Sequence, residues 1–226
     1  GAEFYLVGGC VRDMILGRPI KDRDYVVLTD MTFDELADAM ERAGATIFVR
    51  KPEFLTIRAR FNNEVFDVAF PRIDGEYVDG RRPSGVTVAS SLRQDAARRD
   101  FTINAMYLAP DGEIVDFYGG KKDLYLRLIR AVGNPLDRMR EDFLRVLRAL
   151  RFACVLKFYI DESTGHAMQV GVRGLRSVSA DRIREELNKA LAASPEKVFR
   201  FFDASNAFPI LAEKGLTFEV TQKAKA

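Results

Sequence analysis

The sequence is poor in the residues that build metal cages and histidine-based active sites. Among its 226 residues are two cysteines, Cys10 and Cys154, and one histidine, His166. No cysteine spacing suits a metal, so a zinc site is not expected. A lone histidine leaves no acid–base triad, and His166 reads as a surface residue of a helix. Each cysteine sits in an apolar stretch and reads as a reduced, packed thiol; the sequence also allows a disulfide. No apolar run approaches the roughly 18–20 residues of a membrane span. No basic and apolar leader opens the chain. The expectation is a cytoplasmic protein without a membrane partner.

Enough is present to fold. Hydrophobic residues make up 47% of the chain, sufficient for a real core. The net charge is only +2, but it is unevenly spread: residues 121–200 hold 17 Lys or Arg against 10 Asp or Glu. An arginine-rich second half suits a polyanion partner, or else helix faces laced with ion pairs.

The pattern divides near residue 133. Before it, short apolar runs alternate with helical patterns: strands are expected over 4–8, 24–28, 46–50, 54–61 and 65–70, with weaker candidates at 106–108, 114–116 and 128–132. Helices are expected over 11–16 and from Thr32, which opens a capping box with Glu35. Asn62 and Asn63 form a hairpin turn, and Ser91 caps a short helix. Residues 71–89 are rich in Gly, Pro and charge and read as a long mobile loop. Beyond Gly133, Leu136, Phe143, Leu147, Leu150 and Cys154 keep helical spacing, with Pro135 in the first turn. Further helices are expected over 162–171, 180–192 and 195–204.

The stretch richest in chemistry joins a glycine turn, Gly8–Gly9, to a carboxylate pair, Asp22 and Asp24. Glycines between a strand and a helix let backbone N–H groups approach an anion. Two aspartates two residues apart at the start of a strand share one face, with Lys21 and Arg23 on the other. Their repulsion is relieved by a divalent cation, and magnesium favours carboxylate and phosphate oxygens, so the two features together suggest a nucleoside triphosphate site.

GGCVRDMILGRPIKDRDYVV resembles the signature of class II tRNA nucleotidyltransferases (CCA-adding enzymes) and bacterial poly(A) polymerases of the polymerase-β superfamily. VFDVAFPRID, DGRRP, RRDFTINAM, REDFLRVLRALRF and SADRIREEL follow in the same order. The resemblance implies an α+β fold: a polymerase-β-like nucleotidyltransferase head, a mixed sheet with flanking helices, over 1–133, then a helical neck over 134–226. The body and tail that family members usually carry beyond the neck are not recognised. It implies that Asp22, Asp24 and Asp67 hold two Mg2+ ions, that Gly8, Gly9 and Arg12 hold the triphosphate, and that Arg99, Asp100 and Asn104 contact the nucleotide, Asp100 at the ribose.

Glu141, Asp142, Arg145 and Arg148 resemble the family's base-selecting helix. Asp142 and Arg145, three apart, are expected on one helical face. A carboxylate there accepts from the amine of cytosine or adenine and a guanidinium donates to the neighbouring ring nitrogen. Glu141 holds Arg145, and Arg148 continues the same side. Ser179, Asp181, Arg182 and Glu185 match a block that braces this helix, with Ser179 as N-cap.

The implied reaction is transfer of AMP or CMP from ATP or CTP to an RNA 3′-hydroxyl, with pyrophosphate release. The expected partner is the 3′ end of tRNA, with no DNA involved. Poly(A) addition is the second expectation, and a non-catalytic RNA-binding protein of this fold the third. CC-adding enzymes lack the loop that here contains Asp79–Pro83, so ATP use is expected.

Overall fold

A computed structural model of the chain describes residues 1–20, 22–74 and 86–216. The strands are β1 (Ala2–Val7), β2 (Arg23–Thr29), β3 (Thr46–Lys51), β4 (Thr56–Phe61), β5 (Glu64–Ala69), β6 (Arg72–Asp74), β7 (Val86–Val88), β8 (Met106–Leu108), β9 (Ile114–Asp116), β10 (Leu128–Ile129) and β11 (Tyr159–Ile160). The helices are α1 (Gly9–Ile15), α2 (Phe33–Arg42), α3 (Leu92–Ala97), α4 (Gly120–Tyr125), α5 (Pro135–Glu141), α6 (Leu144–Leu156), α7 (Glu162–Gly171), α8 (Ala180–Ala193), α9 (Pro195–Ser205) and α10 (Phe208–Glu213).

Seven strands form one mixed sheet in the order β3-β4-β5-β2-β1-β8-β9. Only the β2–β5 pair is parallel; its neighbours are antiparallel. Alternation along β2 separates the two faces. Val27 packs with Leu36, Ala37 and Met40 of α2 and with Ile57 and Val68. Val26 faces the other way, with Val7, Tyr107 and Leu92 and Ala96 of α3.

Local chemistry explains the element ends. Thr32 and Glu35 close the capping box as expected. Asn62 and Asn63 both take positive φ, 47° and 65°, which fits a two-residue hairpin whose twist matches its strands. The strand expected from residue 54 starts two residues later, because Pro52–Phe54 forms a 3-10 turn and Leu55 is left-handed. The expected strand over 128–132 shrinks to β10, which pairs with β11. Of the expected loop, residues 75–85 lie outside the described residues, Asp79–Pro83 among them; its flanks are the paired strands β6 and β7.

The continuous helix expected from Leu136 to Cys154 is two helices. Asp142 is extended, at φ −147° and ψ 103°, and separates α5 from α6. The largest core cluster runs across residue 133: Leu6, Val11, Phe101 and Ile129 of the head pack with Leu147, Leu150, Leu175 and Phe202 of the neck. Cys10 and Cys154 are buried free thiols, and His166 is exposed on α7. No helix among the described residues is long and apolar enough to cross a membrane.

The helix break is docked by a glycine. A Cβ at Gly174 would fall inside the Phe143 ring, whereas one at Gly165 in α7 would meet only Ile160, at 3.7 Å. Gly174→Ala is expected to destabilise the protein by about 1–3 kcal/mol. Gly165→Ala is expected to stabilise it by about 0.5–1 kcal/mol. Urea denaturation of both variants checks the contrast; equal stabilities would contradict the docking.

Candidate active site

The glycine turn leaves room for two guanidiniums. Gly8 ends β1 with φ 79°, and its N–H donates to the Met106 carbonyl at 3.2 Å. A Cβ at Gly8 would lie 3.4 Å from Arg99 Nη1, and one at Gly9 3.4 Å from Arg12 Nη2. Arg12 donates to Asp13 at 2.8 and 2.9 Å and to Asn104 Oδ1 at 2.7 Å. Asn104 Nδ2 in turn donates to Asp100 Oδ1 at 3.1 Å. Asp100 also accepts from the Phe101 N–H and, at 2.5 and 2.9 Å, from Arg148. Arg12, Asn104 and Asp100 thus form one chain of hydrogen bonds that ends on the neck at Arg148. Burial works against the Asp100 carboxylate, but Arg148 and Asn104 outweigh it and hold its pKa at about 2.

The carboxylates meet across two strands. Asp24 of β2 and Asp67 of β5 are register partners in the parallel pair, so their side chains share a face. Asp22 lies just before β2 rather than within it. The Asp24 pKa is raised, first by desolvation and then by Asp67 and Asp22, against Arg99 and Arg58. Arg58, opposite Asp67 on β4, approaches it at 3.6 Å. On the other side of the strand Arg23 pairs with Glu64 at 3.3 Å; Lys21 lies outside the described residues. No group of three or more His, Cys, Asp or Glu among the described residues forms a ready-made metal cage. What the site holds is concentrated negative charge on one face, which fits oxygen ligation of a hard divalent cation.

Arg99 is held by two residues that the sequence reading passed over. It donates to Asp95 at 2.8 and 3.1 Å and to the Tyr107 hydroxyl at 3.2 Å. Asp95, fully buried, also accepts from Arg98 and from the Arg72 N–H. Burial would raise the Asp95 pKa, but Arg99 and Arg98 pull it down to about 2. Burial would likewise lower that of Arg99, yet Asp95 and Tyr107 lift it above its usual value. The helical spacing of Asp95 to Arg98 and Arg99 was a signal for this cluster.

The residues expected to select the base are arranged differently from the expectation. Asp142 shares no helical face with Arg145. It precedes α6 as a cap: its Oδ1 accepts from the Leu144 N–H at 3.0 Å and its carbonyl from the Arg145 N–H at 2.9 Å. Arg182 of α8 donates to Asp142 Oδ2 at 2.8 Å, a brace as expected. Arg145 is buried and accepted by Glu141 at 2.5 Å, as expected, and also by the Arg138 and Arg98 carbonyls at 2.9 Å. Arg148, three residues past Arg145 on α6, donates to Asp100. Glu185 is exposed and pairs with Lys189, so the reach from α8 to α6 comes from Glu186, 2.5 Å from Arg151. Ser179 occupies the N-cap position of α8 without a capping side-chain bond, and Asp181 pairs with Arg184. Glu186 lies one turn past Arg182 on α8, a spacing that could have revealed it.

A cleft of about 580 Å³ opens between head and neck. Gly9, Arg12, Asp13, Arg18 and Asp22 line it from the head; Arg151, Phe152 and Lys189 line it from the neck. Glycine turn, one carboxylate of the pair and four cations therefore face one space, which suits a phosphate chain with a bound cation.

Comparisons with known proteins bear on the family and the fold. The family described as the Poly A polymerase head domain matches residues 4–130. A CCA-adding enzyme of Bacillus subtilis is 42% identical over 191 residues, which are 84% of this chain and 47% of that protein. One from Staphylococcus epidermidis is 40% identical over 197 residues, 87% of this chain and 48% of that protein. The chain spans about half the length of these curated relatives. Among solved structures, the Bacillus stearothermophilus CCA-adding enzyme in complex with CTP superposes with a TM-score of 0.75 at 32% identity, covering 95% of this chain and 49% of that one. The Thermotoga maritima CCA-adding enzyme complexed with tRNA does so with a TM-score of 0.78 at 29% identity, covering 97% and 50%.

The Asp95 cluster gives stability a definite pH dependence. Its folded pKa of about 2 lies below the unfolded carboxylate value of about 3.9, so its contribution is complete above the unfolded value. That contribution, on the order of 2 kcal/mol, is lost as pH falls from about 4 toward 2. Asp95→Asn is therefore expected to be destabilised at pH 7, with the gap to the wild type closing by pH 2. Urea midpoints measured across that range check it, and a gap that stays constant with pH would refute the linkage.

Proposed function

The chain belongs to the Poly A polymerase head-domain family, and from that premise we propose that it transfers AMP and CMP from ATP and CTP to the 3′-hydroxyl of tRNA, building CCA or its terminal A. The observation that carries this reading is the register pair Asp24 and Asp67 facing one way beside the glycine turn. Relatives that share about 40% identity are CCA-adding enzymes, which favours tRNA over other RNA ends.

Asp22, Asp24 and Asp67 would hold two Mg2+ ions; bound there, these neutralise the triphosphate and lower the pKa of the attacking hydroxyl. The 3′-oxygen forms a bond to the α-phosphorus as the bond to the bridging oxygen breaks and pyrophosphate leaves. Arg12 and the Gly9 backbone bind and orient the phosphates, while Gly8, whose N–H is taken by the Met106 carbonyl, shapes the turn. Arg99 and Asn104 position the nucleoside; Asp100, expected as the acceptor for the ribose hydroxyl, has its acceptor positions taken by Phe101, Asn104 and Arg148 and holds Asn104 in place instead.

Asp142 and Arg145 select the base although a helix break separates them. An ionised carboxylate offers about four acceptor positions. Leu144 and Arg182 occupy three of those on Asp142, which leaves room for one exocyclic amine. Glu141 and two carbonyls fix the plane of Arg145, so its remaining N–H groups keep one direction. Guanine and uracil present a carbonyl where the amine is needed and are rejected.

Turnover on tRNAs that end before and within CCA, with labelled CTP or ATP and magnesium, tests the reading. Asp24→Ala is expected to lower kcat by at least about 1000-fold with an unchanged melting temperature. Full activity in that variant would remove the metal assignment. Asp142→Ala is expected to raise misincorporation of UTP and GTP about 10-fold or more, a change on the scale of one lost hydrogen bond to a charged group. Product length separates the rival activity, since a long A ladder in place of a stop after CCA would mark a poly(A) polymerase.

A further inference from the structure

Two guanidiniums of the cleft and a third behind it are gathered around one aromatic ring. Phe152 of α6 is 5% exposed. Arg151 lies 4.0 Å from its centroid, Arg12 5.1 Å and Arg148 5.5 Å, all within cation–π range. Phe101 of the head packs edge-on against the same ring, with centroids 5.7 Å apart at 81°. Three like charges this close repel one another. Carboxylates compensate them: Asp13 pairs with Arg12, Asp100 with Arg148, and Glu186 with Arg151 and, at 3.7 Å, with Arg148. These carboxylates come from different elements, and the ring lies within reach of all three cations.

Position gives the ring a second meaning. Arg12, Arg151 and Phe152 line the cleft, whereas Arg148 reaches past the ring to Asp100. We propose that Phe152 is a positioning residue for the incoming nucleoside triphosphate. Its ring holds Arg12 and Arg151 toward the phosphates and, through Arg148 and Asp100, steadies Asn104 on the ribose side. This rests on the nucleotidyltransferase reading above. It adds a residue to which the sequence assigns no chemistry, and it makes a distinctive demand. The ring acts on triphosphate and ribose, which ATP and CTP share, so its loss weakens both nucleotides equally and leaves base choice intact. Substitution of Asp142 does the opposite.

The test compares the wild type, Phe152→Leu, Phe152→Met and Phe152→Tyr in the full chain. The readouts are KM and kcat for ATP and for CTP, the inhibition constant of pyrophosphate, UTP misincorporation and the melting temperature. Leucine and methionine keep an apolar side chain without the ring; tyrosine keeps the ring. The expected result is a rise of about tenfold in both KM values and in the pyrophosphate constant for the leucine and methionine variants. Their kcat stays within about twofold and their misincorporation does not change, and tyrosine restores wild-type values. A folded leucine or methionine variant with wild-type KM and pyrophosphate constants overturns the proposal. So does a tyrosine variant as impaired as leucine, which would show packing volume to be what matters. If the wild type turns over neither nucleotide, the functional reading fails by itself; pyrophosphate binding by wild type and variants, followed by calorimetry, still decides the role of the ring.

Discussion

The buried Asp100 carboxylate joins the two halves of the molecule. It sits at the end of the head, yet its strongest partner, Arg148, belongs to the neck helix α6. Its other oxygen accepts from Asn104, which leads to Arg12 and the glycine turn. A charge removed from water in this way is tolerable only with its partners in place. The pairing therefore demands that α6 sit where it does. The Asp24–Asp67 face, the cleft and the arginine cluster all take their relative positions from that demand.

The same logic repeats around the site. Asp95 fixes Arg98 and Arg99 beneath the sheet, Glu141 fixes Arg145, and Glu186 fixes Arg151. An arginine-rich neck would be an unstable neighbour for a buried core if its guanidiniums lacked partners. Here carboxylates and one aromatic ring pre-arrange them, and the cost of ordering long side chains is met before a polyanion arrives. Asp24 is the counterpoint. Desolvation and the neighbouring Asp67 and Asp22 raise its pKa although Arg99 and Arg58 offset them in part, and a carboxylate face of this kind fits a cation.

Local features of fold and site were legible in the sequence. The capping box at Thr32, the Asn62–Asn63 turn, the helix opened at Pro135 and the strands β8 and β9 follow from short-range chemistry. So do the Asp22 and Asp24 pair, two residues apart, and the Gly8–Gly9 turn, although it is the pairing of β1 with β2 that brings them together. The break at Asp142 was not legible. Hydrophobic spacing through Leu136, Phe143 and Leu147 continues undisturbed across it, and the extended backbone is stabilised by Arg182, 40 residues away.

What the sequence by itself determined is thus the set of chemical parts and the local geometry of each: carboxylates at the start of a strand, glycines at a turn, arginines along a helix. Only the tertiary structure decided which arginine serves which acid. Arg148 turns to Asp100, 48 residues away, and Arg12 to Asn104, 92 residues away. The physical reason is that a guanidinium accepts many acceptors of similar geometry, so its sequence neighbours do not select one. Selection comes from burial: once head and neck share a core, each charge that loses water must take the partner that the packed chain has brought within reach.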